Sequence, residues 1–311
     1  MALSALTPEA AVAAQRRSTV IAYGVLAYAV LIWGANVSVI KVLTEDLPAL
    51  PLSALRMILA LLCICVICLL RRQRLVRIGW HDCAWLVGAG GLMVYAHQIF
   101  LAQGVATSSA TNGALILGLN PIFSVLIGYL LLGEQQTRRS LVGITLGLIG
   151  AALVVLHGGA LHLGASGDTA LFAALFTYVG AGVCIRRVSS AVPPLLLGLY
   201  MHVVGAVLLV LHVGVIEPEV VWRLPELDAS FWWLVGISAF FSTALGNLSW
   251  AYGIATIGLS RSSVFLNWLP ISGVLFAVLF LHEPLGIWRI AGLVCVVLGT
   301  YIALKPQGVR R

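Results

Sequence analysis

Residues 117–135, LGLNPIFSVLIGYLLLGEQ, set a proline, Pro121, in the middle of an apolar run and close on Glu134. A helix breaker there needs a reason, and a second stretch sharpens the question: residues 266–284, LNWLPISGVLFAVLFLHEP, have the same shape. A shift of 149 positions, without a gap, lays Pro121 on Pro270 and Glu134 on Glu283. The match reaches further, with AQGVAT (102–107) falling on AYGIAT (251–256), Gly143 on Gly292 and Gly150 on Gly299. Near the start of the chain a weaker match, shifted by 145, lays Trp33 on Tyr178 and Lys41 on Arg186. The chain therefore reads as two copies of one unit.

Composition says what the unit is. Of 311 residues, 61% are hydrophobic and 9% charged, against about 25% charged in an average soluble protein. An ordinary soluble domain is excluded. A helix needs about 20 apolar residues to cross a bilayer, and polar punctuation divides the chain into runs of that kind. They fall at 20–42, 51–70, 82–104, 109–133, 139–157, 168–185, 194–214, 230–252, 260–281 and 286–304. The runs are continuous rather than alternating, which favours helices over a β-barrel. The fold class expected is an all-α integral membrane protein of ten transmembrane helices.

The net charge of +7 would raise the question of nucleic acid in a soluble protein. Its placement answers that question. Arg16, Arg17, Arg71, Arg72, Arg74, Arg77, Arg138, Arg139, Arg186, Arg187, Lys305, Arg310 and Arg311 fall on the side that also holds both termini. The opposite loops carry His157, His162 and Asp168, then Glu217, Glu219, Arg223, Glu226 and Asp228. By the positive-inside rule the termini and the Arg-rich loops are cytoplasmic, so the lipid bilayer and not nucleic acid is the expected partner. The six cysteines, three of them in CICVIC (63–68), read as small apolar packing residues, since no Cys/His spacing resembles a metal site.

Each unit holds five spans, an odd number, so the second enters the membrane from the opposite side to the first. The expected organisation is a cytoplasmic lead (1–19), a first five-helix repeat (20–157), an extracytoplasmic linker (158–167), a second repeat (168–304) and a cytoplasmic tail (305–311). Inverted repeats of this kind are a transporter architecture, with the substrate site near the midplane between the halves.

The residues at this point carry a resemblance. LNPIFSVLIGYLLLGEQ and LPISGVLFAVLFLHEPL, each preceded by an A-x-G-[VI]-A-T turn and followed by a glycine-bearing span, resemble the two copies of the EamA domain of the drug/metabolite transporter superfamily. SALRMILALL, with Arg56, is similar to the Arg-bearing second helix of the same unit, although the sixth span lacks a Trp-Gly pair like Trp33-Gly34. Within the superfamily the chain most resembles the bacterial aromatic amino acid exporters. The resemblance implies a multi-pass protein of the bacterial inner membrane that exports amino acids, aromatic and other apolar ones first, and related small metabolites; alternating access around the mid-span prolines is the mechanism expected. Other cargoes of the superfamily are the alternatives: a polyamine, a drug or a sugar-nucleotide. A non-transport membrane subunit is a third.

Polar and aromatic residues deep inside the spans are the candidates for contact with a small-molecule substrate. Helical spacing puts Trp33 and Asn36 on one face of span 1, Tyr95 and Gln98 on one face of span 3, Asn247 and Trp250 on one face of span 8, and Ser263, Asn267 and Pro270 on one face of span 9. Asn112, Tyr178 and Trp268 complete the set. Aromatic walls with scattered amides suit an amphipathic solute. Pro121 and Pro270 are candidate hinges, because each removes the hydrogen bond to the carbonyl four residues earlier, at Leu117 and Leu266. Arg56, deeper in span 2, is expected to serve structure or gating more than substrate contact. No Asp or Glu lies mid-span, so a carboxylate proton relay is not evident, and His97 and His202 are the intramembrane groups that titrate near neutral pH. No phosphate-binding loop, nucleotide motif, HExxH or G-x-S-x-G is present. Neither a cofactor, a metal, an ATPase subunit nor enzymatic activity is expected, and the chain is expected to work as a monomer.

Overall fold

The computed structural model describes residues 8–108, 116–156, 166–281 and 286–304. Expectations that fall on Asn112, His157, His162, Glu283 and most of the linker lie outside the described residues. All regular structure among those described is helical. We name the long helices in chain order: α1 (Pro8–Asp46), α2 (Ala49–Leu70), α3 (80–107), α4 (Ile116–Leu132), α5 (Arg138–Leu156), α6 (Ser166–Val188), α7 (Pro194–Ile216), α8 (Ala229–Ile257), α9 (259–281) and α10 (Ile287–Leu304), with the short turns Val220–Arg223 and Leu224–Glu226 between α7 and α8. Seven of these contain segments long and apolar enough to cross a membrane, while Ile116–Leu132 and Ile290–Leu304 are shorter apolar helices. The chain is a multi-pass membrane protein.

Local chemistry sets the boundaries. Proline precedes or opens α2 and α7, at Pro48 and at Pro193–Pro194, where a missing N–H costs nothing. α4 ends on Gly133 in the left-handed region (φ 66°), and α2 ends at Arg71 with the next residue, Arg72, also left-handed (φ 48°). Asp228 caps α8, accepting from the Phe231 N–H at 2.8 Å and the Ser230 hydroxyl at 2.9 Å, and those bonds hold its carboxyl below the ordinary aspartate value.

Four helices are not continuous α-helix. α3 and α8 each contain a π-helical segment, Gly91–Ala96 and Ser238–Leu245. α4 is interrupted by a turn at Leu119 just before Asn120–Leu132, and α9 by the 3-10 segment Val264–Asn267. The 149-residue shift that aligns the two copies carries 91–96 onto 240–245 and 119 onto 268. The π-helical segments therefore fall at matching places in both halves, and the breaks in α4 and α9 fall within a few residues of matching.

Between the halves, tight contacts come in exchanged pairs. α5 and α10 run antiparallel and meet backbone to backbone: a Cβ on Gly150 would fall 2.6 Å from the Gly292 carbonyl oxygen, and one on Gly299 would fall 2.5 Å from that of Gly143. Likewise Gly104 of α3 seats Leu171 of α6, and Gly253 of α8 seats Leu26 of α1, both leucines fully buried. Inside a bilayer, lipid tails are as apolar as Leu, so close van der Waals fit of this kind is what holds helices together.

Candidate functional site

The prolines come first, because the sequence argument began there. Pro121 sits in the first turn of Asn120–Leu132, directly after the turn at Leu119. The Leu117 carbonyl that it leaves free accepts the Asn120 side-chain amide at 3.0 Å. That local bond closes the vacancy within one turn of chain. Pro270 stands in the first turn of Trp268–Leu281, after the 3-10 segment. Both prolines thus mark the restart of a broken helix.

Four rings from four helices meet in the interior. Trp33 (α1) lies 5.7 Å from Trp250 (α8), Trp250 lies 5.5 Å from Tyr178 (α6), and Tyr178 lies 5.2 Å from His97 (α3). His97 Nδ1 is 2.9 Å from the Ala174 carbonyl of α6, so α3 and α6 are also joined by a hydrogen bond. Three of the predicted site residues, Trp33, Tyr178 and Trp250, are therefore brought together. Trp250, at the middle of the chain of rings, is almost wholly buried.

The π-helical segment of α8 borders this cluster and is braced from two helices. A π turn misaligns carbonyls with the ordinary α-helical ladder, and such turns often mark functional sites. Tyr28 of α1 donates to the Phe241 carbonyl at 2.8 Å, and Trp33 Nε1 donates to the Ser242 carbonyl at 3.0 Å. From α2, Arg56 donates through Nε to Ser238 Oγ at 2.9 Å and through Nη2 to Thr243 Oγ1 at 3.0 Å. Trp33 thus packs its ring, tilted, against Trp250 and tethers the backbone of the π-helical segment.

The remaining predicted residues are dispersed. Asn247 donates its amide to His202 Nε2 at 3.2 Å, and His202 Nδ1 stands 2.8 Å from the Gly198 carbonyl, which fixes a neutral tautomer with the proton on Nδ1. Tyr95 faces His212 of α7 at 3.4 Å, Ser263 donates to the Ser260 carbonyl at 2.8 Å, and Trp268 donates to Thr300 of α10 at 2.8 Å. Asn36 is buried in α1 and Gln98 half-buried in α3. Asn267 is buried against Gly147 of α5 with neither amide atom hydrogen-bonded, and Asn120 Oδ1, Ser124 Oγ and the Tyr178 hydroxyl are likewise unpartnered. Native proteins leave few such groups, and each calls for a partner such as water or a ligand.

Sequence reasoning missed the role of Glu134. Its carboxylate accepts the N–H groups of Leu259 (2.8 Å) and Ser260 (2.9 Å) and the Ser260 hydroxyl, so it caps α9 from the end of α4. Gly258 (φ 90°) and Gly128 give it room: a Cβ on Gly258 would fall 2.7 Å from Glu134 Oε1, and one on Gly128 would fall 2.6 Å from Ser260 Oγ. Beside this clasp, Arg186 donates to the Ala255 carbonyl at 2.9 Å and Arg187 to the Leu131 carbonyl at 2.6 Å. The ends of α4, α6, α8 and α9 are thereby tied together at one face. Clefts of about 660 Å³ and 210 Å³ open on either side of Glu134, at that face and not among the central rings. The shared Pro/Glu spacing was the only signal that pointed to Glu134. Among the described residues no group of three His, Cys, Asp or Glu side chains is placed to hold a metal ion.

A helical membrane bundle with twice-used breaks and a buried aromatic and amide interior belongs to the class of transporters, and comparison with known proteins gives the family. Residues 20–156 and 165–305 each match the EamA-like transporter family, so the chain belongs to that family. A Bacillus subtilis protein named "Uncharacterized transporter YyaM" is 30% identical over 69% of this chain and 70% of its own length. A Salmonella typhimurium protein named "Probable amino-acid metabolite efflux pump" is 24% identical over 91% of this chain and 94% of its own. A solved crystal structure, 20% identical, superposes with a TM-score of 0.78 over 93% of this chain and 96% of its own, which establishes a shared fold.

Proposed function

We propose that this transporter is built of ten spans in two inverted five-helix repeats and exports amino acids, apolar and aromatic ones first, by alternating access. The observation that carries the inverted arrangement is the exchange of contacts. Gly143 and Gly150 correspond in sequence to Gly292 and Gly299, yet Gly143 meets Gly299 and Gly150 meets Gly292. Residue i on j′ and j on i′ is the signature of a two-fold axis. Because α5 and α10 are antiparallel, that axis runs across them, in the plane of the membrane, as inverted repeats require. The pairs Gly104–Leu171 and Gly253–Leu26 obey the same exchange, through the 149 and 145 shifts.

In this reading Glu134 and the arginines beside it close the cytoplasmic face, and the substrate site lies among Trp33, Tyr178, Trp250 and the amides of the broken helices. The ring cluster offers flat apolar surface to an organic side chain. Support for an amino acid cargo comes from the relative named an amino-acid metabolite efflux pump and from a Streptantibioticus cattleyicolor protein named "Probable terminal-alkyne amino-acid exporter", 25% identical over 64% of this chain. Proteoliposomes holding the purified protein should take up radiolabelled leucine, phenylalanine or tryptophan above protein-free vesicles, with and without a pH gradient. Uptake of none of a full amino acid panel, with polyamines or other metabolites carried instead, sinks the cargo assignment. Reporter fusions at Arg74 and at Glu219 should read on opposite sides of the membrane, and a fusion near residue 159 on the same side as Glu219.

A further inference from the structure

We infer that Arg56 is the receptor for a carboxylate, the acid end of the cargo, held so that the organic part of the molecule lies toward Trp33 and Trp250. The inference rests on the transport reading above and adds to it the chemistry of one end of the substrate. Arg56 stands seven residues into α2, about 10 Å along the helix from its start at 1.5 Å per residue, and is only 6% exposed. Its guanidinium has five N–H donors. Those seen in use go to two neutral hydroxyls, Ser238 Oγ and Thr243 Oγ1. Among the described residues no carboxylate meets it.

A cation at that depth without an anion is a costly arrangement, and in membrane proteins such groups face the bundle interior, pair, and mark substrate or ion paths. The two hydroxyls cannot neutralise the charge. They do orient it: Nε and Nη2 are pinned along one edge of the fork, so the plane of the guanidinium is fixed while Nη1 keeps its donors. A planar guanidinium held in this way is suited to grip both oxygens of a carboxylate.

The position of Thr243 links this cation to the rings. Its chain neighbour Ser242 gives its carbonyl to Trp33 Nε1, and Trp33 packs against Trp250. Arg56, the π-helical segment and the aromatic cluster are thus contiguous. A charged receptor beside an aromatic wall matches a molecule that is acid at one end and apolar at the other. An arginine that only staples α2 to α8 would be indifferent to the charge of a ligand.

The purified full-length protein in detergent distinguishes the two, with thermal unfolding measured against phenylacetate and phenylacetamide. These probes share a ring, differ in charge and carry no amino group. Phenylacetate should raise the unfolding temperature of the wild type well beyond the amide at equal concentration. Arg56→Gln should lose at least tenfold in apparent phenylacetate affinity and respond to both probes alike. Arg56→Lys keeps the charge but not the fork, so it should lose a smaller factor, about threefold to fivefold, and it supplies the comparison where the Gln variant does not fold. Equal responses to the two probes in the wild type overturn the inference, as does undiminished phenylacetate affinity in Arg56→Gln or, where only the Lys variant folds, in Arg56→Lys. Because neither probe is an amino acid, failure of amino acid uptake in proteoliposomes counts against the cargo assignment alone, and a null phenylacetate result with intact uptake counts against Arg56 alone.

Discussion

The π-helical segments of α3 and α8 occupy matching places in the two copies, yet they are held in different ways. In α8 the segment is braced by polar groups: Tyr28 and Trp33 take backbone carbonyls, and Arg56 takes Ser238 and Thr243. In α3 the segment is held mostly by shape, with one polar contact from Tyr95 to His212 at 3.4 Å. Val94 fits against Gly205 of α7, and Gly90, next to the segment, fits against Val204 and the Met201 carbonyl. The backbone irregularity is common to both copies, but the chemistry around it has parted. One copy packs the bundle, and the other gathers the donors that a site needs.

The largest effect should come from the packed copy. A Cβ on Gly205 would fall 2.2 Å from the Val94 Cβ, so Gly205→Val should cost about 1–3 kcal/mol or more through overpacking. Thermal unfolding in detergent would read it, and an unchanged melting temperature would mean that α3 and α7 can slide apart freely. The next effect tests the braced copy. Trp33→Phe keeps a ring against Trp250 but removes the donor to the Ser242 carbonyl, at a cost of about 1 kcal/mol, and transport should fall with it. The smallest effect belongs to the matching residue of the other copy. Tyr178 has an unpartnered hydroxyl, so Tyr178→Phe should leave stability unchanged or slightly higher, within about 0.5 kcal/mol. A Tyr178→Phe loss as large as that of Trp33→Phe would erase the contrast between the two copies, and a selective loss of transport would place that hydroxyl on the substrate.

Much of this architecture was readable in the sequence, for identifiable reasons. Mid-run prolines have a fixed backbone consequence, so Pro121 and Pro270 announced the breaks in α4 and α9, although not that Asn120 would satisfy the freed carbonyl. The π-helical segments gave no warning, because GLMVYA and SAFFSTAL contain neither a proline nor a distinctive period. Helical spacing named faces one helix at a time and could not say which helices meet, so Trp33, Tyr178 and Trp250 come together while Tyr95 turns to His212 and Asn247 to His202. Asn267 and Trp268 fell on the expected helix, yet they point to α5 and α10 rather than to the ring cluster. The capping role of Glu134 depends on where the start of α9 sits in space, 125 residues away, and no local pattern encodes that.

The glycine seam between α5 and α10 has a mechanical meaning. Most helix contacts in this bundle are cushioned by side chains that can change rotamer and let one helix slip along another. Gly143, Gly150, Gly292 and Gly299 remove the cushion, leaving carbonyl against backbone. Such a junction resists translation, since any slide drives oxygen into backbone, but it permits small rotations about the line where the helices cross. Its centre falls beside Gly147, midway between the two glycine contacts. In the alternating-access reading proposed above, where one half tilts against the other, this seam is the fulcrum, the place where the least moves.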